Sequence, residues 1–205
     1  MTQQRRVSVV LFEGFELLDV FGPVELLSGA PGLFAIEYLA PQAGPVRSSQ
    51  GIEVLAPTGY ADAAQADIIL VPGGPGTRVL VGQDRFLRWL AGFGGSAQIV
   101  TSVCTGSAVL AAAGLLDGYR ATSNKRAFRW VVTQGAEVEW VPEARWVEDR
   151  NRWTSSGVAA GMDMTAALIR RLCGSEVATA LAAAAELEIH DDPAWDPFAR
   201  LHGLV

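Results

Sequence analysis

Cys104 is the residue whose position most clearly suggests covalent chemistry. Residues 98–102 read as a buried strand, and Val103-Cys104-Thr105-Gly106 as the turn that leaves it. Residues 107–113 then form a helix of small residues stopped by Gly114. A cysteine at such a junction sits on a tight turn with its sulfur facing out from the sheet edge. The helix start offers unpaired N–H groups and the positive end of a dipole. Both favour thiolate over thiol, so the pattern predicts a lowered thiol pKa and a nucleophile. A buried, inert core thiol is the competing reading of the same residues. It is the preferred reading for Cys173, which closes a helical run beside Gly174.

Two further loops carry residue types that complement a thiol. Gly73-Gly74-Pro75-Gly76 follows the apolar run 67–71, and such a loop can aim several backbone N–H groups at one point, as an oxyanion hole requires. A glycine turn with no further role is the alternative. A dinucleotide site is the weaker match, because the third glycine of that fingerprint is missing and the loop follows a middle strand. Asp19 stands among Leu17, Leu18, Val20 and Phe21. A carboxylate in an apolar run is either a helix N-cap or a functional group, since burying it unpartnered is costly. Glu13 and Glu16 read as solvated surface. Neither His190 nor His202 lies at a strand end, which argues against a Cys–His pair; His190 fits the end of a helix. No GxSxG or HExxH motif is present.

The elements that must position these residues alternate regularly. Strands are predicted over 7–12, 34–39, 67–71 and 98–102, with shorter ones near Val46, at 52–55, 120–123, 137–141, 144–148 and 153–155. Asn151 marks a turn. Helices are predicted over 17–27, 84–91, 107–113, 127–134, 163–172 and 175–189, with Ser175 a candidate N-cap, and residues 72–77 form a loop. Near-continuous apolar strands alternating with helices predict an α/β fold with a doubly wound, mostly parallel sheet. Ligands of such sheets bind at the carboxyl ends of the strands, where the loops after Phe12, Val71 and Ser102 should meet.

Composition removes several function classes. The chain has 205 residues, half of them apolar, which suits one sizeable domain. The net charge of -6, with no basic block, argues against nucleic acid or an anionic membrane as partner, and the basic residues are almost all arginine, with Lys125 the only lysine. Two cysteines make neither a disulfide framework nor a zinc site, and no metal is expected. The N-terminus does not read as a signal peptide, and no apolar run is long enough to span a membrane. A cytoplasmic protein is the expectation. Residues 190–205 carry Trp195, Phe198 and Leu201, so this tail is expected to pack on the domain or on a partner subunit.

The segment 99–107, followed by Ala112-Ala113-Gly114-Leu115-Leu116, resembles the ThiJ/PfpI superfamily, and most closely its isonitrile (isocyanide) hydratase branch. Leu18-Asp19-Val20-Phe21-Gly22-Pro23-Val24-Glu25 is similar to that family's first helix, Val71-Pro72-Gly73-Gly74 to its glycine loop, and residues 155–163 to its late loop and helix. The resemblance covers roughly residues 7–189. It implies a flavodoxin-like sandwich, a single domain of the class I glutamine amidotransferase-like kind over 1–205, and a homodimer. It further implies Cys104 as nucleophile, Asp19 as acid/base, Thr105 after the nucleophile, and Gly73 and Gly74 as backbone amides facing a small-molecule substrate, with no cofactor. Thr105 stands where protease-like members have histidine, so peptidase activity is not implied. The segment Ser123-Asn124-Lys125-Arg126-Ala127-Phe128 lacks a histidine that the hydratase branch carries there. The implied activity is hydration of isonitriles to N-formamides. An enzyme acting on another small electrophile such as an α-oxoaldehyde, and a non-enzymatic cysteine-based redox or small-molecule sensor, stay open. The same domain also occurs ahead of AraC-type DNA-binding regions; with no such region before Val205, direct transcription control is not expected.

Overall fold

The first strand, β1 (Arg5–Val10), is apolar on both faces where it enters the interior, so it can be covered only by helices on either side. In the computed structural model, which describes residues 4–30 and 32–205, the chain supplies those helices in alternation. After β1 come α1 (Leu17–Ser28), β2 (Phe34–Ala40), the hairpin β3 (Gly44–Arg47) and β4 (Glu53–Ala56), and the short edge strand β5 (Thr58–Gly59). Then follow β6 (Ile68–Val71), α2 (Thr77–Leu80), α3 (Asp84–Gly95), β7 (Ile99–Ser102) and α4 (Gly106–Ala112). The last part holds β8 (Arg120–Ala121), α5 (Phe128–Val131), β9 (Glu139–Trp140), β10 (Trp146–Asp149), β11 (Arg152–Ser155), α6 (Ala160–Cys173), α7 (Ser175–Ala184) and α8 (Pro197–Leu201).

Seven strands form the central sheet in the order β10-β11-β7-β6-β1-β2-β5. All neighbours run parallel except β10 and β11. This is a flavodoxin-like doubly wound sheet in a single domain. Helices α1 and α6 pack against each other, as do α6 and α7. With Val7 and Ile68 they bury Leu26, Leu27, Ile169 and Ala178. Helix α4 packs on α3, and its residues from Gly106 to Ala111 are all buried, because small side chains let it lie close to the sheet.

Several expected boundaries shift. Thr77 is not loop: the turn at Gly76 leads straight into α2. The strand at 120–123 shortens to Arg120–Ala121, which pairs with Glu139–Trp140 in a separate two-stranded sheet. The helix at 127–134 ends at Val131 and tightens into a 3₁₀ turn over Val132–Gln134. The helix at 175–189 stops at Ala184, so His190 lies past it rather than at its end, and Ser175 makes no capping bond. The signal-peptide reading falls partly on residues 1–3, outside the described residues. Among those described, no helix is long and apolar enough to cross a membrane.

The tail is docked chiefly through polar groups. Pro193 O accepts the Arg145 N–H at 2.8 Å, and the Ser156 hydroxyl bonds the buried carboxylate of Asp196. Trp195, Phe198 and Leu201 stay at least half exposed, at 55%, 51% and 71%.

Candidate active site

The three loops after Phe12, Val71 and Ser102 meet as expected. Glu16 N–H donates to Gly73 O at 2.9 Å, Gly76 N–H to Gly14 O at 3.2 Å, and Val103 N–H to Val71 O at 3.1 Å. Cys104 leaves β7 in a left-handed conformation, with φ 57°. This conformation is unusual for a residue with a Cβ and marks the sharp elbow from which the chain enters α4. Cys104 is buried but retains 7% exposure.

Asp19 lies in the first turn of α1 and is wholly buried. It is not the N-cap; that position is Glu16, whose side chain makes no capping bond. Asp19 Oδ2 accepts the Gly73 N–H at 2.8 Å, while Oδ1 is buried with no hydrogen-bond partner of ordinary geometry. The Gly74 N–H donates to Thr105 Oγ1 at 3.1 Å, and Thr105 and Thr77 join their hydroxyls at 3.1 Å. The two loop amides therefore hold Asp19 and Thr105 in place, where the sequence suggested an oxyanion hole. Close approach explains the glycines. A Cβ at Gly73 would lie 2.6 Å from Thr105 N and 2.8 Å from Asp19 Oδ2, and one at Gly74 would lie 2.4 Å from Gly14 O.

The protonation of the pair departs from the lowered thiol pKa that the elbow pattern predicts. Burial pushes the Cys104 thiol up, and the Asp19 carboxylate beside it adds to the rise. The Thr105 backbone N–H and hydroxyl oppose both, and Glu16 adds a smaller rise. The helix N-terminus is thus outweighed by desolvation and by a like-charged neighbour. Burial also pushes Asp19 up to about 7, against the pull of the Gly73 N–H, with Glu16 raising it further and the Cys104 thiol lowering it. Neighbours placed in this way cannot easily both be charged.

The remaining candidates fall outside this centre. The His190 N–H donates to Asp163 Oδ1 at 3.0 Å in the tail, and His202 closes α8. Glu13 is exposed and accepts from the Arg47 N–H, and Glu16 is half-buried and accepts from the Ser49 hydroxyl. Cys173 is half-buried at the end of α6. Lys125 is buried and points to Thr122 Oγ1 at 2.8 Å and Ala144 O at 2.5 Å. Among the described residues, no group of three or more His, Cys, Asp or Glu could hold a metal ion. Three contacts were not anticipated from sequence: Thr77 on Thr105, and the hydroxyls of Ser107 and Ser123 on the Cys104 carbonyl. Only Ser107, three residues after the cysteine, carried a local signal, the reach of a first-turn serine back to a neighbouring carbonyl.

A flavodoxin-like sandwich with a left-handed cysteine at the elbow after a central strand, faced by a buried acid from the first helix, defines a recognisable class. The chain belongs to the DJ-1/PfpI family, whose profile matches residues 5–171. Isonitrile hydratase from Pseudomonas putida is 35% identical over 192 residues, covering 93% of this chain and 81% of that protein. The HTH-type transcriptional regulator GbdR of Pseudomonas aeruginosa is 32% identical over 181 residues; the match covers 85% of this chain but only 48% of the regulator. Among solved structures, a ThiJ/PfpI family protein from Pseudomonas syringae superimposes with a TM-score of 0.83 at 29% identity, covering 91% of this chain and 76% of that one.

Proposed function

We propose that this protein hydrates isonitriles to N-formamides by cysteine-dependent covalent catalysis. The observation that carries the reading is the buried pair Cys104 and Asp19, in which the Asp19 pKa is pushed up to about 7 and Oδ1 has no hydrogen-bond partner of ordinary geometry. The similarity to isonitrile hydratase supports the substrate class.

The terminal carbon of an isonitrile takes both a nucleophile and a proton. Asp19 receives the thiol proton as Cys104 Sγ bonds that carbon, and returns it to the same carbon, giving a thioimidate, R–N=CH–S–Cys. Water then adds to the thioimidate carbon with Asp19 as base. The C–S bond breaks, nitrogen takes one proton and sulfur recovers the other. The sum is R–NC plus water giving R–NH–CHO. A neutral thiol beside an Asp19 that exchanges protons near pH 7 suits this sequence better than a standing thiolate, because each step moves one proton over a short distance. Gly73 orients the carboxyl, and Thr105, held by Gly74, borders the sulfur.

The similarity to a regulator supports a second reading, in which the domain binds a small molecule without turning it over. Turnover of cyclohexyl isocyanide, followed by formamide absorbance, separates the two. Turnover lost in Cys104→Ala is the expected result. Binding without formamide would favour the ligand-sensing reading, and lactate formed from methylglyoxal would favour an α-oxoaldehyde substrate. The proposal includes a homodimer, for which sedimentation velocity is the direct measure.

A further inference from the structure

We infer that Ser107 and Ser123 are positioning residues for Cys104, acting through the peptide unit that joins Cys104 to Thr105. The inference rests on the reading of Cys104 as the nucleophile. It concerns how the fold prepares that thiol, not which substrate it meets.

The Cys104 carbonyl oxygen accepts two hydroxyl donors from separate parts of the chain. Ser107 Oγ, in the first turn of α4, lies at 3.2 Å, and Ser123 Oγ, just beyond β8, at 2.9 Å. Both serines are wholly inaccessible to solvent, so each hydroxyl must find its partner inside the protein, and both find the same oxygen. Ser123 is itself held by its neighbour: Thr122 N–H donates to Thr154 Oγ1 at 2.8 Å, and Thr122 Oγ1 donates to Val141 O at 2.8 Å. The anchor therefore spans three segments and meets at one atom of the elbow.

That carbonyl shares its peptide unit with the Thr105 N–H, and none of the peptide bonds described is cis. The two groups point in opposite directions across one rigid plane. Fixing the carbonyl fixes the direction of the N–H, and the Thr105 N–H is among the groups that pull the Cys104 thiol pKa down. Two donors on the oxygen also polarise the amide, which makes the N–H on the far side a stronger donor. The arrangement holds Cys104 at a φ of 57° that its side chain disfavours and aims an N–H at the place where negative charge develops. The charged groups acting on the sulfur are Asp19, from α1, and Glu16, just before it; both oppose the thiolate. The Thr105 N–H and hydroxyl are what work against them. Lys125, although near Ser123 in sequence, is turned to Thr122 and Ala144.

The test uses the full chain with Cys173→Ser, so that Cys104 is the only thiol. Alkylation by iodoacetamide is followed across pH for this background and for Ser107→Ala, Ser123→Ala and the double variant. Each single change is expected to slow alkylation about three- to tenfold at a given pH and to move the profile to higher pH, as loss of one hydrogen bond at this position implies. The double variant should lose more. Circular dichroism identifies the folded variants; should Ser123→Ala not fold, Ser107→Ala alone decides. Folded variants with the parent pH profile would overturn the inference, since a merely structural role predicts lower stability with an unmoved thiol. The readout needs no isonitrile, so failure of the hydratase reading would appear separately, as absent formamide with these shifts intact.

Discussion

The amide of Gly73 donates to Asp19 Oδ2 at 2.8 Å, across 54 residues of sequence, and this bond fixes the acid of the site against its thiol. The approach leaves no room for a side chain: a Cβ at residue 73 would come within 2.6 Å of a backbone nitrogen that cannot rotate away. Gly73→Ala is therefore expected to displace Asp19 or the Thr105 backbone, to cost about 1–3 kcal/mol of stability, and to lower isonitrile turnover at least tenfold. Urea denaturation and steady-state kinetics read the two effects. Wild-type kinetics in the alanine variant would detach the Gly73–Asp19 bond from catalysis.

Asp19 should leave a signature in the pH dependence of stability. Its pKa is raised to about 7 in the folded protein, from an ordinary carboxylate value near 4 in the unfolded chain. Between these values the unfolded state has already released the proton that the native state keeps, so stability falls as pH rises through this window and levels off above 7. Asp19→Asn removes the term. The variant should be inactive as a hydratase and should unfold at a higher urea concentration than wild type at pH 8, by an amount on the order of a few kcal/mol, with the difference shrinking toward pH 4. A difference that does not change with pH would show that Asp19 is ionised throughout.

The parallel architecture was legible because strands such as β6 and β7 are buried on both faces and read as apolar runs. Cys104 was legible because strand, turn and small-residue helix follow one another without interruption. Asp19 stood out as a charge with apolar neighbours. The pairing of β8 with β9, two residues each, carries too little pattern to see, and β5 is equally short. The thiol pKa was misread for a physical reason. A helix terminus is a local feature and visible in sequence, whereas desolvation and the Asp19 charge arise only when distant segments close over the sulfur. Ser123 escaped notice likewise, since its bond to Cys104 joins residues with no shared local pattern.

Thr105→Val tests the glycine loop from its other side. The change keeps the shape of the side chain but removes the oxygen that accepts the Gly74 N–H and meets Thr77 Oγ1. A half-buried amide loses its partner, while the Thr77 hydroxyl keeps Gly74 O at 2.7 Å, a cost of about 1–3 kcal/mol. The Thr105 hydroxyl is also one of the two donors that restrain the Cys104 pKa. Slower alkylation of Cys104 is thus expected alongside the lower unfolding midpoint. Lower stability with unchanged alkylation would limit Thr105 to holding the loop.

Lys125 predicts a rise in stability at alkaline pH. Burial pushes its pKa down to about 8, with Asp196 and Glu143 opposing the shift. Between about 8 and the ordinary lysine value near 10 the unfolded chain holds a proton that the native state has lost, so this group makes stability climb with pH in that window. In Lys125→Met the climb should disappear, although the Ala144 carbonyl loses one of its two side-chain donors, keeping Thr122 Oγ1 at 3.2 Å, and the variant should be less stable at pH 10. Urea midpoints at pH 7, 8.5 and 10 decide; parallel curves for the two proteins would mean that Lys125 titrates as an exposed lysine does.

The start of the tail is bonded to a buried ion pair. Asp163 Oδ2 accepts Arg145 Nε at 2.7 Å and meets its Nη2 at 2.5 Å, while Oδ1 accepts the His190 N–H at 3.0 Å. The next residues are tied by Arg145 N–H on Pro193 O and by Arg170 on Asp191. Asp163→Ala strands the Arg145 guanidinium in a buried site and frees the start of the tail together. A loss of about 3–5 kcal/mol is expected, as for other buried pairs deprived of one partner. Because the exposed Trp195, Phe198 and Leu201 contribute little burial of their own, the tail should detach before the sheet unfolds. Limited proteolysis should then cut Asp163→Ala within residues 190–205 under conditions that leave the wild-type tail intact. Cleavage at equal rates in the two proteins would mean that Asp196 and Pro193 hold the tail without the ion pair.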